Sequence, residues 1–408
     1  MASDFVLGLD IGTQNIKLIL AENVNGRPRI RAAHREQSFG LRKGVIVDLP
    51  EASSSLARAF GEVRKISKSA LSNIYVSIGT HQTRAQSSRG IVAVSRADSE
   101  IYEDDIERVV KASESVIIMP NRITVHNVTR EYIIDGVDDI IDPLGLSGSR
   151  LEVDSLIIDA FAPHVKNVMR IVELTGGRIG GLVSSPIASA RAALSKQQKE
   201  LGVALIDIGA GATSMCVYEE NKLLHVVIFP MGAANITNDL AVGLKIPVTA
   251  AEALKLHYGY ALASEIGSKE SIDMRKFTSE GKNTVPRRFV AEIIEARLAE
   301  VFELVNAELK SLSRSGRLAG GAVLVGGGAR LPGVSDLAKH ELKLSVQVGA
   351  TLSEEWAPES DASFEYFEDP EFVTSTGLVL WGAEKSGWRK ESRYMKLHPK
   401  NLLKYFLP

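Results

Sequence analysis

The period of the apolar positions changes along the chain, and each change marks an element. Phe5 to Leu9 and Ile16 to Ala21 are short apolar runs of the kind that form buried strands, and Asn25-Gly26 after them is a hairpin signal. Between 51 and 68 the spacing of Leu56, Ala59, Phe60, Val63 and Ile66 becomes helical, and Asn73 to Gly79 is again a short strand ending in glycine. Residues 163 to 176 predict a helix through Val165, Val168, Met169, Ile171 and Val172, stopped by Gly176-Gly177. Ile179 to Pro186 and Ile187 to Leu194 read as strand, turn and helix. The longest helical stripe comprises Val290, Ile294, Leu298, Val301, Val305, Leu309 and Leu312. Strands and helices alternating in this way predict an α/β fold with helices covering a sheet.

Residues 84 to about 160 break the alternation. They carry Ser87-Ser-Arg-Gly90, an acidic helix start at Glu103-Asp-Asp105, and the turn-rich Asp142-Pro-Leu-Gly-Leu-Ser-Gly-Ser149, so they read as a small inserted subdomain. Composition adds mostly exclusions. The chain has 408 residues, 45% of them hydrophobic and 24% charged, enough for two or more domains with real cores. A net charge of -2 gives no basic field for nucleic acid, and no apolar run approaches the roughly 18 to 20 residues a membrane-spanning helix needs. Met1-Ala-Ser-Asp4 leads straight into a strand, so no secretory signal is expected. Cys216 is the single cysteine, which fits a reducing compartment and a small buried hydrophobe. Eight scattered histidines, with no pair at ligand spacing, argue against a metalloenzyme.

Two loops repeat one another. Leu7-Gly-Leu-Asp-Ile-Gly-Thr13 and Leu205-Ile-Asp-Ile-Gly-Ala-Gly-Ala-Thr213 each run from an apolar strand into Asp, then Gly, then Thr. Glycine frees the backbone for a tight turn whose N–H groups can face an anion. Asp10 and Asp207 would stand at strand C-terminal ends, where a carboxylate can hold the water shell of Mg2+. Gly12, Thr13 and Gln14 supply the first turn and its donors, and Lys17 on the next strand adds positive charge beneath the phosphates. Gly209, Ala210, Gly211 and Thr213 are expected to repeat that arrangement. Taken singly, either loop is ordinary turn chemistry; together they suggest a duplicated fold gripping one polyphosphate. There is no Gly-x-x-x-x-Gly-Lys-[Ser/Thr] loop, and Ser214 occupies the place of the third glycine of a dinucleotide fingerprint.

The order of these pieces carries a resemblance over nearly the whole chain. The first loop, the connector at 180 to 194, the second loop, Ala250-Ala-Glu-Ala-Leu-Lys255, the glycines Gly326-Gly-Gly328 and a final Thr374-Ser-Thr-Gly-Leu378 helix resemble the signature of the actin, Hsp70 and sugar-kinase superfamily. That resemblance implies two duplicated halves around an ATP and Mg2+ cleft. Glu252 and Lys255 would reach the ribose and base, Gly327 and Gly328 would lie at the nucleotide, and Gly232 would contact the phosphates. Local motifs narrow it: Lys43-Gly-Val-Ile-Val-Asp48, Asp142-Pro-Leu-Gly-Leu-Ser-Gly148, Leu201-Gly-Val-Ala-Leu-Ile-Asp-Ile-Gly209, His257-Tyr-Gly259 and Ala291-Glu-Ile-Ile-Glu295 are similar to the FtsA family of bacterial cell-division proteins.

Membership of that family implies a filament-forming adaptor on the cytoplasmic side of the cell membrane at the division site. It would bind the FtsZ C-terminal tail, tether the FtsZ ring and recruit later divisome proteins. The implied organisation is a first half of 1–83, continued by 161–195 and 365–385, with the insert at 84–160. A second-half core of 196–236 and 306–364 would carry an upper subdomain at 237–305, followed by a tail at 386–408. Arg288, Arg297 and Glu300 are the candidates for the partly acidic FtsZ tail, since Arg pairs bidentately with carboxylate, although each also reads as a solvated helix charge. Ser185-Pro186 stands where related filament proteins carry a carboxylate, and serine is no general base unaided, so ATP binding with slow hydrolysis is expected. A pilus-assembly platform protein of the PilM type, or a carbohydrate kinase, would share the fold.

The C-terminal stretch reads as a membrane contact independently of any resemblance. Lys385, Arg389, Lys390, Arg393, Lys396, Lys400 and Lys404 face only Glu391 and are interleaved with Trp388, Tyr394 and Met395; Leu402, Leu403, Phe406 and Leu407 would share one face of a terminal helix. Cations for anionic lipid and apolar groups for the headgroup boundary are what an interfacial anchor needs. The charged stretch follows the last core helix with almost no linker, unlike the usual arrangement in the family.

Overall fold

The first apolar run is strand β1 (Phe5–Ile11), paired antiparallel with β2 (Asn15–Val24), which pairs antiparallel with β3 (Arg27–Gln37). Asn25 at φ 52° and Gly26 at φ 86° make the two-residue left-handed turn that matches strand twist. The computed structural model describes residues 5–114, 119–278, 283–358 and 364–388. After the short pair β4 (Leu41–Arg42) and β5 (Val45–Ile46) comes helix α1 (Leu49–Ile66), whose first turn is capped by Asp48 accepting from the Glu51 N–H at 2.9 Å. Strand β6 (Ile74–Ile78) then returns parallel to β1.

The insert leaves after β6. It comprises β7 (Arg84–Ala93), α2 (Glu103–Ser113), β8 (Arg122–Ile134), β9 (Val137–Ile140) and β10 (Arg150–Phe161), forming an antiparallel sheet in the order β7-β10-β8-β9. The chain returns through α3 (Ala162–Leu174), which ends before Gly176 at φ 80°, to β11 (Ile179–Ser184) at the edge of the first sheet. No turn separates β11 from α4 (Ser185–Ala193): the expected turn at Pro186 is the first turn of the helix, where proline lacks no needed donor.

After α5 (Lys196–Leu201), the second half repeats the first. Strands β12 (Val203–Ile208), β13 (Thr213–Glu219) and β14 (Lys222–Phe229) form the antiparallel set, and helices α6 (Ala233–Leu244) and α7 (Val248–Tyr258) follow. A short pair, β15 (Ser271–Asp273) and β16 (Thr284–Pro286), precedes the long α8 (Arg287–Ser311). Strand β17 (Ala322–Val325), α9 (Val334–Leu342), β18 (Val346–Val348), α10 (Phe364–Glu368) and α11 (Val373–Lys385) complete the described chain. The sheets run β11-β6-β1-β2-β3 and β18-β17-β12-β13-β14, with the same parallel and antiparallel pairings. The halves are therefore one architecture used twice.

Helices α4 and α11 lie between the sheets, and one apolar cluster containing Val6, Ile19, Val203, Val323 and Leu378 crosses from half to half. The helices approach closely because Gly377 on α11 faces Ala188 on α4, where a Cβ would lie 1.8 Å from the Ala188 carbonyl oxygen. Trp388, expected in the lipid-facing tail, belongs to this cluster and is only 4% exposed. Gly387 at φ 70° turns the chain back after α11, and the Trp388 N–H donates to the Ala383 carbonyl at 3.0 Å, so the indole is core and not anchor. Arg389, Lys390, Leu402, Leu403 and Phe406 lie outside the described residues.

One strand of the insert touches both halves. On β8, the His126 Nε2 accepts the Ser184 N–H at 2.9 Å, while Arg130 donates to the Leu223 carbonyl at 2.9 Å on β14. Burial, aided by Lys385, pushes the His126 ring down to about 4, which keeps Nε2 an acceptor at neutral pH. Replacing Gly377 with Ala should force α4 and α11 apart and cost on the order of 2 kcal/mol, read as a lowered urea midpoint at constant slope. An unchanged midpoint would mean that the two helices are free to separate.

Candidate functional site

The two repeated loops face one another across a cavity of about 770 Å3. That size suits a small-molecule ligand. Strand register places the charges. Asp10 pairs with Lys17 across the first hairpin and Asp207 pairs with Ser214 across the second. The loops are also closed identically, by the Gly12 N–H donating to the Asn15 carbonyl at 3.1 Å and the Gly209 N–H to the Ala212 carbonyl at 3.0 Å. In this register Thr13 corresponds to Ala210 and Thr213 to Ile16, so Thr213 does not repeat Thr13. Thr213 is fully buried, its Oγ1 has no hydrogen-bond partner, and it does not line the cavity, whereas Ser214 does.

The carboxylates are fixed from several sides. Asp10 accepts from the Ser77 hydroxyl at 2.6 Å and pairs with Lys17 Nζ at 2.7 Å. Asp207 Oδ2 accepts from Thr374 Oγ1 at 3.1 Å and from Ser189 Oγ at 3.3 Å. Burial pulls the Lys17 ammonium down, but Asp10, Glu371 and Asp207 outweigh it and hold its pKa above the usual value. Burial and Asp10 push the Asp207 carboxyl up, against the opposing pull of Lys17. Gly326, at φ 84°, makes the approach to Asp207 possible, since a Cβ there would lie 2.2 Å from Oδ1.

The cavity is lined by Gly12, Thr13, Gln14, Gly209, Ala210, Gly211, Gly327 and Gly328. Gly232 lies beneath the second loop instead: a Cβ would meet the Gly209 carbonyl at 2.4 Å, and Ala233 takes the place at the cavity wall. The N–H groups of Ala233 and Ala234 are already given to the Gly209 and Ala210 carbonyls, both at 2.9 Å. In the roof, Lys255 is buried and commits its ammonium to Glu252 at 2.7 Å, Thr237 at 2.9 Å and the Ala233 carbonyl at 3.3 Å. Burial would raise the Glu252 carboxyl, but Lys255, Thr237 and Gln14 hold it below its usual value. Lys255 thus orients Glu252, and Gln14 of the first half donates to Glu252 at 3.3 Å across the cleft.

Glu371 joins the site without having been expected there. It accepts from Asn15 at 2.9 Å and pairs with Arg35 at 3.1 Å and Arg330 at 3.4 Å at the cavity wall. Its only sequence signal is Asp369-Pro-Glu371 just ahead of the last helix, which by itself reads as a turn. Ser185 lines the cavity beside Gly79. Among the described residues no three His, Cys, Asp or Glu side chains gather as a metal cluster. A cation between Asp10 and Asp207 would therefore take most of its ligands from water and phosphate, the donor set Mg2+ prefers.

The candidate partner residues lie on α8. Arg288 is exposed and only loosely paired, with Glu292 at 3.5 Å. Arg297 is engaged within the chain, donating to Asp239 at 2.5 and 3.0 Å and also to Glu300. Glu300 and Arg297 thus satisfy one another, and Arg288 remains the exchangeable member of the three.

Two halves of one architecture, closed on a cleft between paired Asp-Gly loops, define the actin-like class of proteins. Solved structures of that class match it: the PilM–PilN type IV pilus biogenesis complex has a TM-score of 0.66 at 18% identity over 93% of this chain and 98% of that chain. ADP-bound MreB5 of Spiroplasma citri has a TM-score of 0.57 at 11% identity over 95% of this chain and 98% of that one. A family model described as "Cell division protein FtsA" matches residues 204–377, and one described as "SHS2 domain inserted in FTSA" matches residues 80–159. Cell division protein FtsA of Bacillus subtilis is 34% identical over 384 residues, 94% of this chain and 84% of that protein. That of Escherichia coli is 30% identical over 387 residues, 93% and 90% of the two chains. The chain belongs to the FtsA family of bacterial cell-division proteins. Among the described residues no helix is long and apolar enough to cross a membrane.

The charge arrangement makes its own prediction. Replacing Lys17 with Met leaves carboxylates buried without their cation and should cost roughly 3 kcal/mol at neutral pH. The variant's Asp207 carboxyl then titrates higher in the folded than in the unfolded chain, so the penalty is present above the folded value and shrinks as pH falls through it. Urea unfolding at pH 7 and pH 5 checks this: a penalty that grows on acidification contradicts it.

Proposed function

We propose that the cleft binds ATP, with its phosphates between the two loops and a hydrated Mg2+ held by Asp10 and Asp207. The observation that supports this best is the identical hairpin register of the two loops, which sets both carboxylates and Lys17 around one cavity. The N–H groups of the loops suit phosphate oxygens, the divalent cation would neutralise phosphate charge, and Gln14 and Glu252 would meet above the nucleotide.

In this reading the nucleotide is a clamp between halves and is hydrolysed slowly. Ser185 stands at the start of α4 in the cavity wall with its hydroxyl against Gly79, and a serine unaided is no general base. The clamp serves an adaptor that polymerises on the cytoplasmic face of the cell membrane, carries the FtsZ ring by its C-terminal tail and recruits later division proteins. Family membership supports the cell-division role. Arg288 is the residue we assign to the acidic part of the FtsZ tail, and 389–408 is the stretch we assign to the lipid surface.

Mixing the protein with anionic vesicles, ATP and an FtsZ tail peptide should give filaments on the vesicles that retain the peptide. Removing 389–408 keeps Trp388 in the core and should abolish vesicle pelleting while leaving ATP binding intact; unchanged pelleting would overturn the anchor. Arg288→Glu should weaken peptide capture several-fold. Turnover at or above about 10 per second, typical of metabolic enzymes, would overturn the clamp.

A further inference from the structure

The floor of the cleft is held in place from outside the two halves. Helix α4 begins at Ser185 in the cavity wall, and one turn later the Ser189 hydroxyl lies 3.1 Å from the Ser185 carbonyl, 3.3 Å from Asp207 Oδ2 and 2.8 Å from Thr374 Oγ1. Each hydroxyl has a single proton, so where Ser189 and Thr374 bond one another, one of them donates to Asp207 and the other donates to that hydroxyl. The seat of α4 therefore sets the direction of the second carboxylate. At the N-terminal end of α4, the Ser184 N–H needs an acceptor, because the first N–H groups of a helix have none within it. The acceptor is His126 Nε2 at 2.9 Å, from the β8 strand of the insert.

His126 is built into this position. Its ring packs against Trp381 of α11 with centroids 5.2 Å apart at 60°, so it is wedged between the insert, the connector and the last helix. Ser184 is only 1% exposed and its own Oγ has no hydrogen-bond partner, so no hydroxyl of the connector substitutes for the imidazole. Four residues further along β8, Arg130 donates to the carbonyls of Leu223 at 2.9 Å and Leu224 at 2.5 Å in the second half. The same strand is tied there a second time by Lys222, which pairs with Glu131 at 2.7 Å. One strand of the insert thus spans from the connector of the first half to the sheet of the second.

We infer that His126 is a positioning residue for the nucleotide cleft: through the Ser184 N–H it seats α4, and through Ser189 it fixes the Asp207 carboxylate. The insert is then a brace behind the cleft, coupled to it through this buried hydrogen bond as well as through apolar packing. The inference rests on the nucleotide reading above and adds to it a residue some distance from any ligand. Losing the imidazole leaves the Ser184 N–H buried without a partner, and α4 relieves that by shifting or by admitting water. Either response loosens Asp207 while the loops' own N–H groups stay in register. The consequence falls on the part of nucleotide affinity that depends on the divalent cation.

The test measures ATP affinity of the full chain with Mg2+ and with EDTA, alongside urea unfolding without nucleotide. His126→Ala should lose roughly tenfold in the affinity gained from Mg2+, the weight of one buried hydrogen bond, and little in EDTA. His126→Gln, whose amide oxygen can replace Nε2, should restore it. Ser189→Ala, a smaller change, should reproduce the loss, and its combination with His126→Ala should add less than the two separately. If His126→Ala does not fold, the Ser189→Ala and His126→Gln results decide alone: an unchanged Mg2+ gain in Ser189→Ala overturns the inference. A folded His126→Ala that loses affinity equally with and without Mg2+ overturns it too, since a general structural defect acts that way. Wild-type protein that binds no ATP in either buffer overturns the nucleotide reading and this inference together, whereas wild-type binding with unaltered variants overturns this inference alone.

Discussion

Two carboxylates from separate halves cannot share a buried cleft without a cation between them, and Lys17 is the group on which that condition rests. Its ammonium touches Asp10 at 2.7 Å and is pulled on also by Glu371 and Asp207. The duplication is unequal at this point. Asp10 has Lys17 opposite it in the hairpin, but Asp207 has Ser214, so the second half depends on the first for its compensating charge. An interaction of this kind stabilises the closed arrangement of the halves because each half is worse off alone. Arg35 and Arg330 offset Glu371 at the wall, which leaves Asp10 and Asp207 facing a single ammonium. A remaining excess of negative charge at the floor of a polar cleft is the setting in which a divalent cation is bound most favourably.

Around that centre, rigidity comes from close backbone approach. Gly377 lets α11 lie against α4, Gly8 lets β1 pass beneath α11 with a Cβ position 2.2 Å from the Ser375 carbonyl, and Gly326 brings the third glycine-rich turn onto Asp207. Hydroxyls finish the job where apolar packing would not: Ser77 donates to Asp10, and the hydrogen-bonded pair Ser189 and Thr374 lies against Asp207. Buried carboxylates need such donors, since each unsatisfied lone pair carries a desolvation cost of order 1 to 3 kcal/mol.

Much of this was legible in the chain because it depends on local spacing. The strand–turn–strand loops, the helix stripe from Val290 to Leu309 and the glycine run at 326–328 are all periodic or turn signals, and the structure has each in its place. What sequence reading missed depends on register or on distant contacts. Matching Thr213 to Thr13 by residue type ignored that the hairpins align Thr13 with Ala210. Trp388 read as an anchor because basic and aromatic residues follow it, yet the turn at Gly387 returns it to the core. Arg297 read as a free charge because Asp239, its partner, is on another helix. Glu371 carries only a turn-like Asp369-Pro-Glu371 and His126 no local pattern, since partners are brought to them from 356 and 58 positions away.

The contacts that cross the cleft decide how a ligand would act on the molecule. Gln14 reaches Glu252 at 3.3 Å, and Gly211 lies so close to Thr13 that a Cβ would come within 2.4 Å of its hydroxyl. A single hydrogen bond at an exposed rim contributes at most about 1 kcal/mol, so the loop tips on their own hold the halves together only weakly. A polyphosphate touching both loops would favour the closed arrangement by the difference in its affinity for closed and open forms, and rapid cleavage would discard that difference. A serine at the start of α4, in place of an acid, therefore suits a protein whose bound nucleotide sets conformation. The insert, tied to both halves through β8, bears on how those halves sit against one another.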